Sequence, residues 1–292
     1  MPALLIVAAA LWGALAGLLL PRAAYRLSVE PQEPWRDACP AGHPFGGLAR
    51  GWLGTGRCAP CAAGAPAPLH ETTPPVPYEK RHDDRHERRP DATSGPHPLS
   101  DPPAVSPPGA VPRLRTLRYA VLCALACAVL ALATGARPEL VVWLLLAPFA
   151  LLLAVVDRRV QRLPDVLTLP LAAAALVLLA GAALLPGGAG SWVGALLGGA
   201  GLGGAYFLLF LVNPNGMGFG DVKLALAIGV VLGWYGWPAL FLGASAGFVL
   251  GALYGVGLMV TRRGGRKTAI PFGPFMIAGA WVGLVLGGAG VA

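Results

Sequence analysis

A chain of 292 residues that is 55% hydrophobic and only 12% charged carries about half the charge of an ordinary soluble domain, which excludes a freely soluble enzyme. The net charge of +8 would suit nucleic acid if it lay on one folded basic face, but most of the positive residues gather between 22 and 118. Orientation in a membrane accounts for that placement better than a nucleic-acid partner, and the 41 glycines suit helices whose backbones pack closely in lipid.

Apolar runs of spanning length fall at 3–20, 117–134, 139–156, 166–185, 191–212, 222–237, 239–260 and 272–291. A span takes about 20 residues, so the run at 222–237 is short and is read as tilted or partly interfacial. The expected fold is therefore an all-α polytopic membrane protein of about eight transmembrane helices. Lys and Arg set its orientation: thirteen lie between 21 and 118, then Arg158, Arg159, Arg162, Lys223, Arg262, Arg263, Arg266 and Lys267 follow on the same side. Only Arg137 falls on the other side, which predicts N-out, C-out. The first run has no basic residue before its apolar core and has Arg22 and Arg26 after it, so it reads as an uncleaved helix rather than a signal peptide.

Three parts follow: a first helix over 1–20, a cytoplasmic loop over 21–116, and a seven-helix membrane part over 117–292. Within the loop, residues 62–112 are rich in Pro and carry a charged run from Glu79 to Arg89 with few aliphatics. Such a composition cannot bury enough apolar surface to offset ordering entropy, and predicts a disordered, solvated insertion. Upstream, Cys39-x3-His43 and Cys58-x2-Cys61 offer four ligands in two close pairs over 39–61. In a reducing compartment that pattern favours a structural Cys3His zinc knuckle over disulfides. Cys123 and Cys127, in the second helix, read as small packing residues.

From residue 102 onward the acidic residues are Glu139, Asp157, Asp165 and Asp221, and no His follows His97. A Ser–His protease or a His-Glu-x-x-His metalloprotease therefore lacks its base or its ligands in the membrane part. Glu139, at the outer end of its helix, reads as a solvated interfacial charge. Asp157 ends the run at 139–156 and Asp221 opens the run at 222–237, both at the cytoplasmic boundary. Two carboxylates sharing a site hold one proton between them, which supplies a base to activate water and an acid to protonate an amide nitrogen. Asp165 competes as the partner of Asp221, although its place before an apolar run suits a helix N-cap. Asp157 has in turn a bland reading, as a charge paired with Arg158, Arg159 or Arg162.

Asp157 with Leu163-Pro164-Asp165-Val166-Leu167-Thr168, then Gly216-Met217-Gly218-Phe219-Gly220-Asp221-Val222-Lys223-Leu224, then Pro271-Phe272-Gly273-Pro274-Phe275, resembles the type IV prepilin peptidase family over about residues 117–292. These are membrane aspartyl proteases of the Gly-x-Gly-Asp kind. The resemblance implies a catalytic pair of Asp157 and Asp221, with Gly218, Gly220, Lys223 and Asp165 in support. Lys223 also has a simple role as a charge anchoring a helix end, and Pro271–Phe275 either lines a substrate groove or only opens the last helix. The resemblance further implies a bacterial inner-membrane enzyme whose site faces the cytoplasm. It would need no cofactor for proteolysis, and its partners would be a prepilin or pseudopilin precursor and the surrounding membrane lipid. The family's Cys-x-x-Cys pairs are similar to the loop's ligands, but Gly42 stands where the second Cys would be, and His43 substitutes. Methylation of the new pilin N-terminus with S-adenosylmethionine is a family trait tied to this loop. Here a Pro-rich insertion follows Cys61, which leaves that activity doubtful.

Two rival readings share some of these features. A presenilin-like protease also uses Gly-x-Gly-Asp, but no Pro-Ala-Leu motif lies near the C-terminus. An ion-coupled transporter also keeps acids in the membrane, but near the midplane and within repeated halves, and neither is evident.

Overall fold

The computed structural model describes residues 2–30, 33–66, 113–214, 217–261 and 270–290. Among them the helices in chain order are α1 (Pro2–Leu27), the short turns α2 (Leu48–Gly51) and α3 (Ala59–Ala62), α4 (Arg113–Thr134), α5 (Glu139–Val160) and α6 (Asp165–Ala183). They continue with α7 (Trp192–Val212), α8 (Phe219–Gly233), α9 (Trp237–Val260) and α10 (Gly273–Gly288). The described residues contain one isolated antiparallel bridge, Ala38 to Pro44, and no strand.

Each apolar run became a helix, but they are not alike. Six of them, in α1, α4, α5, α6, α7 and α9, are long and apolar enough to cross a membrane. α8 and α10 have 15 and 16 residues, about 22–24 Å at 1.5 Å per residue against a hydrocarbon core of about 30 Å. α8 is short because glycines bracket it: Gly218 precedes it in an extended conformation, and Gly236 after it has φ 98°, a left-handed turn that favours glycine. α1 instead runs past its apolar core to Leu27, burying Pro21, Ala23, Ala24 and Leu27.

Packing is pairwise, α1 on α4, α7 on α8 and α9 on α10, with α5 and α8 tying the pairs together. The main core joins Leu130, Trp143, Leu153, Leu179, Leu224 and Trp234. Small residues set the closest seam: a Cβ on Gly198 of α7 would stand 2.5 Å from the Gly229 carbonyl of α8. Cys123 and Cys127 are buried in α4, as their expected packing role requires.

Glu139 departs from its expectation. It is not a solvated interfacial charge but fully buried at 0% exposure. The loop between α6 and α7 folds over it, and the Ala189 N–H donates to its Oε1 at 3.2 Å. Hydropathy reads only neighbours along the chain, and this cover comes from a loop fifty residues on. The expected disordered insertion lies outside the described residues from 67 to 112.

Candidate active site

The end of α5, the starts of α6 and α8, and the approach to α10 meet at one end of the bundle. They enclose a polar cavity of about 490 Å³ lined by Asp157, Asp165, Asp221, Gln161, Arg162 and Lys223, with Gly218, Phe219, Gly220, Pro271 and Phe272. Asp157 and Asp221, 64 residues apart in sequence, thus share one space, close enough for their charges to act on each other.

Each carboxylate is placed by its backbone. Asp157 is only 4% exposed, and the Gly273 N–H donates to its Oδ2 at 3.0 Å. Gly273 opens α10, so this carboxylate sits against a helix N-terminus, where unpaired N–H groups and the helix dipole favour an anion. Gln161 closes α5 in the left-handed region at φ 50°, its N–H donating to the Asp157 carbonyl at 2.8 Å, which ends the helix just past the acid. Asp221 lies in the first turn of α8, again at a helix N-terminus. Gly220 presses against Leu163, since a Cβ there would stand 3.1 Å from the Leu163 Cβ, and a side chain would push α8 off the α5–α6 corner.

Of the three arginines in the bland alternative for Asp157, Arg159 donates to the Tyr119 hydroxyl at 2.8 Å and Arg162 to the Glu30 carbonyl at 3.5 Å. Asp165 is not an N-cap. Pro164 holds that position, and the Asp165 carboxylate pairs with the Lys223 ammonium at 2.7 Å. Lys223 also lies 4.8 Å from the Phe219 ring centre and is 16% exposed on its side chain. It is therefore held inside the cavity rather than extended toward headgroups. Gly273 is the site residue that sequence reasoning missed. The signal was a glycine between Pro271-Phe272 and Pro274 at a helix start, but nothing along the chain tells which side chain its N–H meets.

Cys39, His43, Cys58 and Cys61 come together, with their ligand atoms all within 4.8 Å of one another. His43 Nδ1 is 3.6 Å from Cys39 Sγ and 3.2 Å from Cys61 Sγ, and the two sulfurs are 3.6 Å apart. Those separations fit the edges of a tetrahedron with bonds of about 2.0–2.3 Å to one metal. The other imidazole nitrogen, Nε2, lies 2.9 Å from the Pro66 carbonyl, the outer partner that fixes a ligating His. Burial pushes the Cys39 thiol up, but hydrogen bonds from His43 and the backbone outweigh it and bring it down to about 7. Arg22 and Arg26 of α1 hold this knuckle to the bundle. Arg22 donates to the Gly46 and Arg57 carbonyls at 2.8 and 3.1 Å, and Arg26 stacks 4.1 Å over Trp52.

A bundle of apolar helices with two acids from different helices in one polar cleft at its end defines a polytopic protein built around a carboxylate pair. Comparison with known proteins narrows that class. The family model for the type IV leader peptidases matches residues 144–256. The prepilin leader peptidase/N-methyltransferase of Escherichia coli (strain K12) is 36% identical over 175 residues, covering 60% of this chain and 72% of that protein. Those of Pseudomonas putida and Aeromonas salmonicida (strain A449) are 36% and 35% identical over 183 and 149 residues, covering 59% and 51% of this chain. The chain spans 60% and 48% of the length of these last two relatives. No solved structure matches significantly. The chain belongs to the type IV leader peptidase family.

Proposed function

We propose that the chain is an aspartic endopeptidase that removes the leader peptide of type IV prepilins or pilin-like secretion subunits, with Asp157 and Asp221 activating water. The observation that carries this reading is the convergence of those two acids on one cavity at the bundle's end. Asp157 accepts the Gly273 N–H on Oδ2, which orients the carboxylate toward the shared cavity. The two acids hold one proton between them: the ionised member takes a proton from water, and the protonated member gives its proton to the leaving amide nitrogen. Neither a covalent intermediate nor a metal is needed for this step.

The membrane arrangement belongs to the same proposal: eight spans, N-out and C-out in a bacterial inner membrane, with the cavity on the cytoplasmic side. The positive residues at that end and the position of both acids at helix ends support it. A transporter would hold its acids nearer the midplane. The names of the relatives also include N-methyltransferase, but the proposal is confined to peptide cleavage. The test is co-expression with a pilin-type precursor. Appearance of a single shortened product with a defined new N-terminus is expected, and an uncut precursor would overturn the reading.

The Cys3His cluster would hold a zinc ion as a structural staple for the knuckle. Purified protein is expected to contain about one zinc per chain by elemental analysis, and Cys58→Ser to lose most of it. Equal metal in both would refute the site. Asp165→Asn breaks an ion pair whose acid is 62% exposed, so a stability change below about 1 kcal/mol is expected. Leader removal should slow by no more than about tenfold, since the carboxylate pair itself is kept. A loss as deep as that of Asp157→Asn would move the catalytic role to Asp165.

A further inference from the structure

The two acids come from helices that run in opposite directions, and a second pair from the same two segments meets toward the other end of the bundle. Trp143 of α5 donates its Nε1–H to the hydroxyl of Tyr235, just past α8, at 3.1 Å, with the ring centres 5.9 Å apart. Trp143 is 1% exposed. On α5, Trp143 precedes Asp157 by fourteen residues, and Tyr235 follows Asp221 by the same fourteen. Fourteen residues are close to four helical turns, so each aromatic falls on about the same face as its acid, roughly 21 Å away. A step of equal length back along α5 and forward along α8 thus leads from one pair to the other, as antiparallel helices in register require. α10 repeats the spacing. Its Gly273 N–H meets Asp157, and fourteen residues on, Gly287 lies so near the Tyr235 ring that a Cβ there would stand 2.7 Å from Cδ2.

Little backbone contact joins α5 to α8 directly among the described residues, and α6 and α10 each pack on both. Between the two pairs, Ala147, Ala150 and Ala154 of α5 keep the same register with Val231, Ile228 and Leu224 of α8. All six line one apolar space of about 480 Å³. Apolar contact is non-directional and gives a weak hold on axial position. A hydrogen bond is directional: a slip of one residue, 1.5 Å along the axis, would stretch and bend the Trp143–Tyr235 bond. The same slip would carry Asp157 past Asp221.

We propose that Trp143 and Tyr235 are positioning residues, whose hydrogen bond fixes the register of α5 against α8 that sets Asp157 beside Asp221. Their role presupposes that those acids are the catalytic pair. The test is the pH dependence of kcat for a pilin-type precursor, measured on the purified full-length protein. Two acids that share a proton have apparent pKa values pushed apart by each other's charge, and moving the acids apart brings the values together. Tyr235→Phe keeps the ring and removes the acceptor. It should lower kcat by about tenfold, since a misplacement on the order of 1 Å costs about 10²-fold, and should draw the two limbs of the pH profile toward each other. A variant that was merely less stable would lower the whole curve and leave its limbs in place. Asp165, Arg162 and Lys223, which line the same cavity, and Tyr206 of α7, whose hydroxyl feels the Asp221 charge, are unaltered in this variant. Trp143→Phe should shift the limbs in the same sense, and should it fail to fold, Tyr235→Phe decides. Trp192→Phe is the matched control, because it removes an indole bond of 3.1 Å to the Leu176 carbonyl, between α7 and α6. It should match the wild type in rate and profile. Unmoved limbs in Tyr235→Phe, or an equal shift in Trp192→Phe, would overturn the proposal and leave the catalytic pair standing so long as Asp221→Asn is inactive. An active Asp221→Asn, or a wild type that leaves the precursor uncut, would overturn both.

Discussion

Asp221→Asn is expected to lower the rate of leader removal by at least about 10³-fold, and Asp157→Asn by a similar factor. Positioned acid–base groups contribute about 10²–10⁴-fold each, and a pair that shares one proton loses both roles when either member can no longer exchange it. Asn keeps the size of the side chain and can still accept the Gly273 N–H at position 157, so the fold should persist. Thermal unfolding of both variants should therefore stay close to that of the wild type while the processed product disappears from mass spectra. A variant that is inactive because it is unfolded would be recognised by that comparison.

Gly273→Ala should be the second most damaging change, although the substitution adds only a methyl group. A Cβ at this position would stand 2.8 Å from Asp157 Oδ2 and 3.1 Å from its Cγ. The carboxylate is buried and cannot simply turn into solvent. It must leave the amide that orients it, or α10 must shift. A displacement on the order of 1 Å of a catalytic group costs about 10²-fold, so a fall of about 10- to 100-fold in processing is expected. Gly257→Ala in α9 is the matched control, because nothing lies within 4 Å of its added methyl. It should process the precursor at the wild-type rate. If Gly273→Ala did so too, the 3.0 Å bond would not be what positions Asp157.

Much of the fold was legible because each helix is announced locally. A run such as 191–212 has no charged residue to place in water, and α7 from Trp192 to Val212 follows almost residue for residue. The short α8 was visible in the same way. What could not be read were contacts between distant segments. Glu139 carries no local mark that a loop fifty residues away will cover it. Asp165 looked like a cap because its neighbours opened a helix, yet the nearby Lys223 claims its carboxylate. Asp157 and Asp221 were pointed to by a family resemblance, not by periodicity, and residue chemistry alone kept Asp165 open as the partner. The Cys3His set was legible as two close pairs. The closure of those pairs on each other was not legible, nor that Arg22 and Arg26 of α1 would dock the knuckle.

The central claim is that Asp157 and Asp221 act as one unit on water. It is tested most directly by timing leader removal for Asp157→Asn, Asp221→Asn and the double variant under identical conditions. The account predicts that the double variant is no slower than either single one, because removing half of a shared-proton pair already removes its chemistry. Processing near the wild-type rate in either single variant, or losses that multiply in the double, would contradict it.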